Sequence, residues 1–416
     1  MKRFFIATMT TVLLLLSGCR KEENSTVDIP IHTLDEFVRI ELGANSNLNN
    51  TTRASLESLD DISNDPIGSI GVFCLANRRT HVAGSSEAKD IDWSTIVSTD
   101  KEEYGYTTNG TYWNNVRCRV ENHSSGFKLI PDDEQEFYWY YPNTSWYGYD
   151  FYGYYPYNAG RPTIESNKVT IDMEIDGTQD VIWGQSVDPR PSIYSMIEDQ
   201  SIRNKLVDSY YSAHFFRFAP ESWTAAQMKF HHKLTQFRFY VYPAANKDAS
   251  PEKKYDAATS LKVTELRLEN EKYNLQMVLA DRSGQNQGEV YSRDDNTRDF
   301  HLCHRDGTLL EDSAVNIVTK TNESGEIIPD TIRLGESIMA LPGKSVYYIS
   351  VMLADNVTSY SSEKLIAIRR GNGEPFESGK IYHVYLQVAG VTSIGVTAEL
   401  EDWVDNQEQV GNIEFQ

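Results

Sequence analysis

The sequence predicts an all-β protein of two tandem β-sandwich domains behind a lipoprotein signal peptide. Three observations lead there. Apolar residues alternate with polar ones at period two in short runs, and no long apolar stripe has helical spacing. Gly and Pro punctuate those runs, as at Leu341-Pro342-Gly343-Lys344. A basic start, Lys2-Arg3, leads into an apolar run too short to span a bilayer.

Residues 1–18 form the signal peptide. Leu16-Ser17-Gly18-Cys19 resembles a bacterial lipobox: small residues at 17 and 18 admit the signal peptidase, and the Cys19 thiol takes the diacylglycerol. Cys19-Arg20-Lys21-Glu22-Glu23 resembles the signal that sends some Gram-negative lipoproteins to the outer face of the outer membrane. Several acyl chains would make that anchor firm until the chain is cut.

Residues 19–53 read as a lipidated pro-segment. Val38, Ile40 and Leu42 alternate with Arg39 and Glu41, which predicts a strand over 36–42 with one buried face. The Ile29 and Ile31 run is interrupted by Pro30 and is the weaker strand. Residues 45–52 are a polar, Asn-rich loop open to proteases. Arg53, followed by Ala54, is the only basic residue between Arg39 and Arg78, so a trypsin-like enzyme has one obvious target.

The remainder divides near 220, into domains 54–220 and 221–416. Strands are predicted at 69–74, 111–113 and 116–120. In residues 137–157, 13 of 21 side chains are aromatic. One reading is a platform that stacks sugar rings, with Trp139, Trp146 and Tyr149 as its adhesive surface. The other is a strand–turn–strand, broken at Pro142 and Gly148, whose aromatics form a core and a wet outer face. Residues 168–176 give the cleanest strand, and a helix is predicted over 193–211. His231 and His232 are adjacent, so they point to opposite faces of a strand. Leu261 and Val263, then Leu266 and Leu268, alternate with a phase slip, as at a bulge. Later strands follow at 345–353, 381–388 and 394–400.

Net charge is −21, and loss of Lys2 and Arg3 with residues 1–18 takes it to −23. Such a chain repels phosphate backbones, which excludes nucleic acid as a partner. Four cysteines, one of them Cys19, leave Cys74, Cys118 and Cys303; these three cannot all pair, and free thiols are expected, with one bridge still open. His301, Cys303 and His304 lack the second ligand pair of a zinc site. Asp172-x-Glu174-x-Asp176-Gly177 resembles the front of a calcium loop, but its twelfth position is Trp183 instead of Glu. No Gly-x-Ser-x-Gly elbow occurs, and the acidic pairs Asp60-Asp61, Asp132-Asp133 and Asp294-Asp295 carry no sign of a cleft. No cofactor, metal or catalytic activity is therefore expected.

The order of several motifs resembles the fimbrillin family, the subunits of type V pili, in its minor-fimbrium-like branch. They are the lipobox, Thr52-Arg53-Ala54, Ile70-Gly71-Val72-Phe73, Phe137-Tyr138-Trp139, Asp150-Phe151-Tyr152-Gly153-Tyr154-Tyr155-Pro156, Gln179-Asp180-Val181-Ile182-Trp183, Phe230-His231-His232-Lys233-Leu234 and the final Glu399-Leu400-Glu401-Asp402-Trp403. Here Tyr140-Tyr141 intervene between Trp139 and Pro142, a small departure. The resemblance implies transthyretin-like sandwich domains and a pilus built by strand exchange. It further implies that an arginine-specific protease cuts after Arg53, that the first strand leaves, and that a strand from another pilus subunit fills the groove. A surface glycan-binding lipoprotein is the alternative, and a host or bacterial surface ligand fits either reading. In residues 404–416 Val410, Ile413 and Phe415 could make a short donor strand, but their phase is broken by Gly411-Asn412, which favours a tip or accessory subunit over a stalk subunit that must donate a strand. Limited trypsin is expected to cut first after Arg53, and Arg53→Gln to remove that first band on a timed gel.

Overall fold

Alternating apolar and polar side chains place one face of a strand in the core. The Lys168–Glu174 strand does so as its sequence implies, with Val169, Ile171 and Met173 buried. The computed structural model describes residues 37–39, 42–44, 69–81, 89–90, 92–96, 115–123, 126–132, 138–140, 146–157, 162–212, 215–216, 219, 225–361, 365–390 and 393–402. Within them strands dominate and helices are short, so the chain is all-β. The expectations for Cys19, Ile40, Arg53, Ala54, 111–113 and 404–416 lie outside the described residues.

Seven strands form a closed circuit of pairing. In spatial order they are Leu42–Ala44, Gly126–Pro131, Val116–His123, Ile70–His81, Trp146–Tyr155, Ile182–Ser186 and Ala226–His232, which pairs back onto Leu42–Ala44. The aromatic stretch supplies two strands that pair with different partners. Trp146–Tyr155 joins the circuit, whereas Tyr138–Tyr140 pairs with Phe37–Arg39. Tyr149, Phe151, Tyr152, Tyr154 and Tyr155 are all buried, so this part of the stretch is core.

That corrects the expectation for Tyr149, which is 1% exposed and not on an adhesive surface. Its N–H donates to the Tyr210 carbonyl at 3.0 Å, and the Tyr210-Tyr211 turn lies over this strand, with Tyr211 and Phe151 rings 6.3 Å apart. The predicted single helix is two, Arg190–Met196 and Gln200–Asp208. Ile197 turns extended, and Asp199 then caps the second helix by accepting from the N–H groups of Ser201 and Ile202.

Lys168–Glu174 itself lies between Pro162–Ile164 and Asn274–Asp281. This ladder joins residues from both sides of position 220, and the buried apolar side chains form one cluster from Leu42 to Val388. Two further sheets build the C-terminal part. Thr235–Pro243 lies between Ile332–Ala340 and Lys380–Gly390, with Ser393–Asp402 at the outer edge. Lys262–Lys272 lies between Thr297–His301 and Tyr347–Ala354. The sheets meet through Phe237 and Tyr347, whose rings are 4.8 Å apart, with Phe376 wedged at 5.2 and 5.1 Å from them. The phase slip in Lys262–Lys272 is a register shift between Val263 and Glu265.

His232 is buried against Asp180, and His231 stacks on Trp183 on the other face. Cys74 and Cys118 are buried free thiols, and Cys303 is a half-buried one. Among the described residues no group of three or more His, Cys, Asp or Glu could hold a metal ion, and no helix is long and apolar enough to cross a membrane.

Glu271, 1% exposed, accepts from Lys344 Nζ at 2.6 Å. Burial raises its carboxyl above the usual carboxylate range, against the pull of Lys344. An acid whose folded value is raised stabilises the fold below its unfolded value and loses that contribution as pH rises through the folded one. Lys344→Met leaves the buried carboxylate alone. It is expected to cost about 3 kcal/mol at pH 7 in urea unfolding, with the gap to wild type narrowing toward pH 5.

Candidate functional site

The circuit depends on three residues at one point. Leu42–Ala44 runs antiparallel to Gly126–Pro131, in the register Leu42 to Leu129, Gly43 to Lys128 and Ala44 to Phe127. It runs parallel to Ala226–His232, in the register Leu42 to Ala226, Gly43 to Gln227 and Ala44 to Met228. Leu42 and Ala44 project to the same face and are 1% and 0% exposed, beside the buried Phe127, Leu129, Ala226 and Met228. Gly43 projects to the other face, where Gln227 covers it.

The sequence reading placed the buried strand at Val38, Ile40 and Leu42, and the structure redistributes these. Leu42 is in the slot. Val38 lies in the separate Phe37–Arg39 strand, opposite Trp139, so it belongs to a two-stranded ladder outside the circuit. Gly43 and Ala44 were not predicted. The signal was present, since Ala44 continues the period-two phase of Leu42, but Gly43-Ala44 has the composition of a turn. Trp139 and Trp146 lie in strands that pair with Phe37–Arg39 and Ile70–His81 respectively.

The arrangement is chemically a strand socket. Without Leu42–Ala44 the circuit opens between Gly126–Pro131 and Ala226–His232, and both edges lose their ladder partners over the paired length. Unpaired N–H and C=O groups beside an apolar strip are a template for another strand. Burial of the Leu42 side chain contributes about 2–3 kcal/mol, and each ladder hydrogen bond adds about 1 kcal/mol net. Together these are a sizeable share of an ordinary domain's stability.

The model of the fimbrillin-like family matches residues 52–403. The chain belongs to the fimbrillin-like family. No curated protein matches it. Solved structures similar to it include a candidate cell adhesion protein from Bacteroides uniformis, 12% identical, with a TM-score of 0.39 over 88% of this chain and 98% of that one. A candidate cell adhesion protein from Bacteroides ovatus is 13% identical, with a TM-score of 0.42 over the same shares. The fimbrial anchor protein Mfa2 from Porphyromonas gingivalis is 10% identical, with a TM-score of 0.29 over 88% of this chain and 98% of that one.

If Leu42 carries the socket, Leu42→Ala should destabilise the intact chain by about 2–4 kcal/mol in urea. It should also speed release of the trypsin-cut N-terminal fragment, read by size exclusion.

Proposed function

We propose that this chain is a structural subunit of a cell-surface fimbrium, assembled by strand exchange that a protease triggers. It is exported as a lipoprotein through Cys19, held at the outer membrane, and cut between Arg53 and Ala54 by an arginine-specific protease. The observation that carries the reading is the Leu42–Ala44 strand. It completes the pairing circuit from within the pro-segment, upstream of Arg53.

The physical logic follows from connectivity. While the chain is whole, the strand is held at the high effective concentration of a tether. Cleavage turns it into a separate, dissociable fragment, and a strand from another subunit competes for the same ladders. Lys344, Glu271 and the aromatic contacts of the C-terminal sheets lie outside the socket, so the rest of the subunit can persist while the socket changes occupant. The subunit would be a tip or accessory one, because Val410, Ile413 and Phe415 form a weak donor pattern.

Cleaved by an arginine-specific protease in the presence of other pilus subunits, the wild-type chain is expected to yield oligomers that survive gel filtration, while Arg53→Gln stays monomeric under the same treatment. A cleaved chain that remains monomeric with residues 19–53 still bound, with and without added subunits, would remove this function.

A further inference from the structure

We propose that the socket selects a strand of another subunit carrying a small hydroxyl residue, Ser or Thr, at the position Gly43 now holds. A large apolar residue would replace Leu42, and a small one Ala44. This rests on the strand-exchange reading.

The Gly43 position lies between Lys128 on one neighbouring strand and Gln227 on the other. The Gln227 side chain folds over the glycine, so closely that a Cβ there would lie 2.6 Å from Oε1 and 2.7 Å from Nε2. With Gln227 in this rotamer only Gly fits at this place, and Gly is a poor strand former. Gln227 Oε1 is buried and has no hydrogen-bond partner among the described residues. A buried carbonyl left without a donor lowers stability. The resident strand thus fits its apolar face and leaves a polar atom unserved on the other.

A hydroxyl on the added Cβ supplies what Oε1 lacks. The atoms in the way are the far end of a flexible side chain, so withdrawal by ~1 Å admits the Cβ and brings a Ser Oγ to hydrogen-bond distance, about 2.7–2.8 Å. A hydroxyl both donates and accepts, so it also serves the carboxamide turned end for end. Alanine adds the same Cβ with no donor, and a large apolar residue would push Gln227 aside without pairing it. On the inner face, Ala44 is fully buried beside Phe127 and Met228, which keeps that position small, while Leu42 fills the space beside Leu129 and Ala226. The preferred sequence is thus large apolar, Ser or Thr, then Ala, and the resident Leu-Gly-Ala departs from it only at the centre. A better occupant than the resident gives exchange a direction.

The test has two arms. In full-length chains, Gly43→Ser and Gly43→Ala are compared in the wild-type and Gln227→Leu backgrounds by urea unfolding. Ser is expected to have the higher midpoint beside Gln227, and the difference should vanish in the Gln227→Leu background. In the second arm, the full-length chain is nicked with trypsin and titrated with fluorescent peptides of residues 36–47 carrying Gly, Ala or Ser at position 43. The Ser peptide should bind about fivefold tighter than the Ala peptide, as one hydrogen bond to a buried carbonyl would give. A Ser advantage that persists in the Gln227→Leu background overturns the proposal, since strand propensity alone would explain it. Peptides that enter with equal affinity also overturn it and leave strand exchange standing. If no peptide enters any nicked chain, both the proposal and the strand-exchange reading fall.

Discussion

Every backbone N–H and C=O taken out of water must find a partner, and in this protein that demand converges on one gap. The strands Gly126–Pro131 and Ala226–His232 are not neighbours of each other. They are bridged by Leu42–Ala44, a segment from a different part of the chain. Three residues thereby close a circuit of seven strands. A strand at a sheet edge could be lost with little consequence for the others; one between two neighbours leaves two raw edges behind it.

Elsewhere the fold is secured by contacts that do not pass through that gap. The C-terminal sheets meet on an aromatic cluster of Phe237, Tyr347, Phe376 and Tyr382. The Lys168–Glu174 and Asn274–Asp281 ladder ties early and late segments of the chain together. The ion pair between buried Glu271 and half-buried Lys344 adds a local tie in the same region. Stability is therefore unevenly distributed, with one three-residue strand closing the circuit and the C-terminal sheets held by contacts of their own.

Much of the fold was legible in the sequence because period-two alternation has a direct physical cause, a strand with one wet face. Lys168–Glu174, Tyr347–Ala354 and the bulge after Val263 follow from it. Where both faces of a strand are covered, the rule loses its grip. The Trp146–Tyr155 strand buries Phe151 and Tyr152, then Tyr154 and Tyr155, because both its faces are covered: the Tyr211 ring lies against Phe151, and Phe73 and Asn115 lie against Tyr154. Composition alone could equally suggest a sugar platform there. The single predicted helix divided because Asp199 is a better cap than an interior residue. Of the candidate socket, Leu42 was readable and its neighbours were not, since which strands flank a segment is a matter of long-range pairing. Gln227 in particular looks like any polar strand residue until Gly43 is seen beneath it.

The mixed character of the socket has a geometric consequence. Its two walls run in opposite directions, one parallel and one antiparallel to the strand they hold. An occupant that reproduces both ladders can lie in only one orientation. A strand that another subunit supplied to this socket would join two unlike surfaces, so the contact would not be self-complementary. Its polarity would be fixed in advance by the sense in which Leu42–Ala44 already runs.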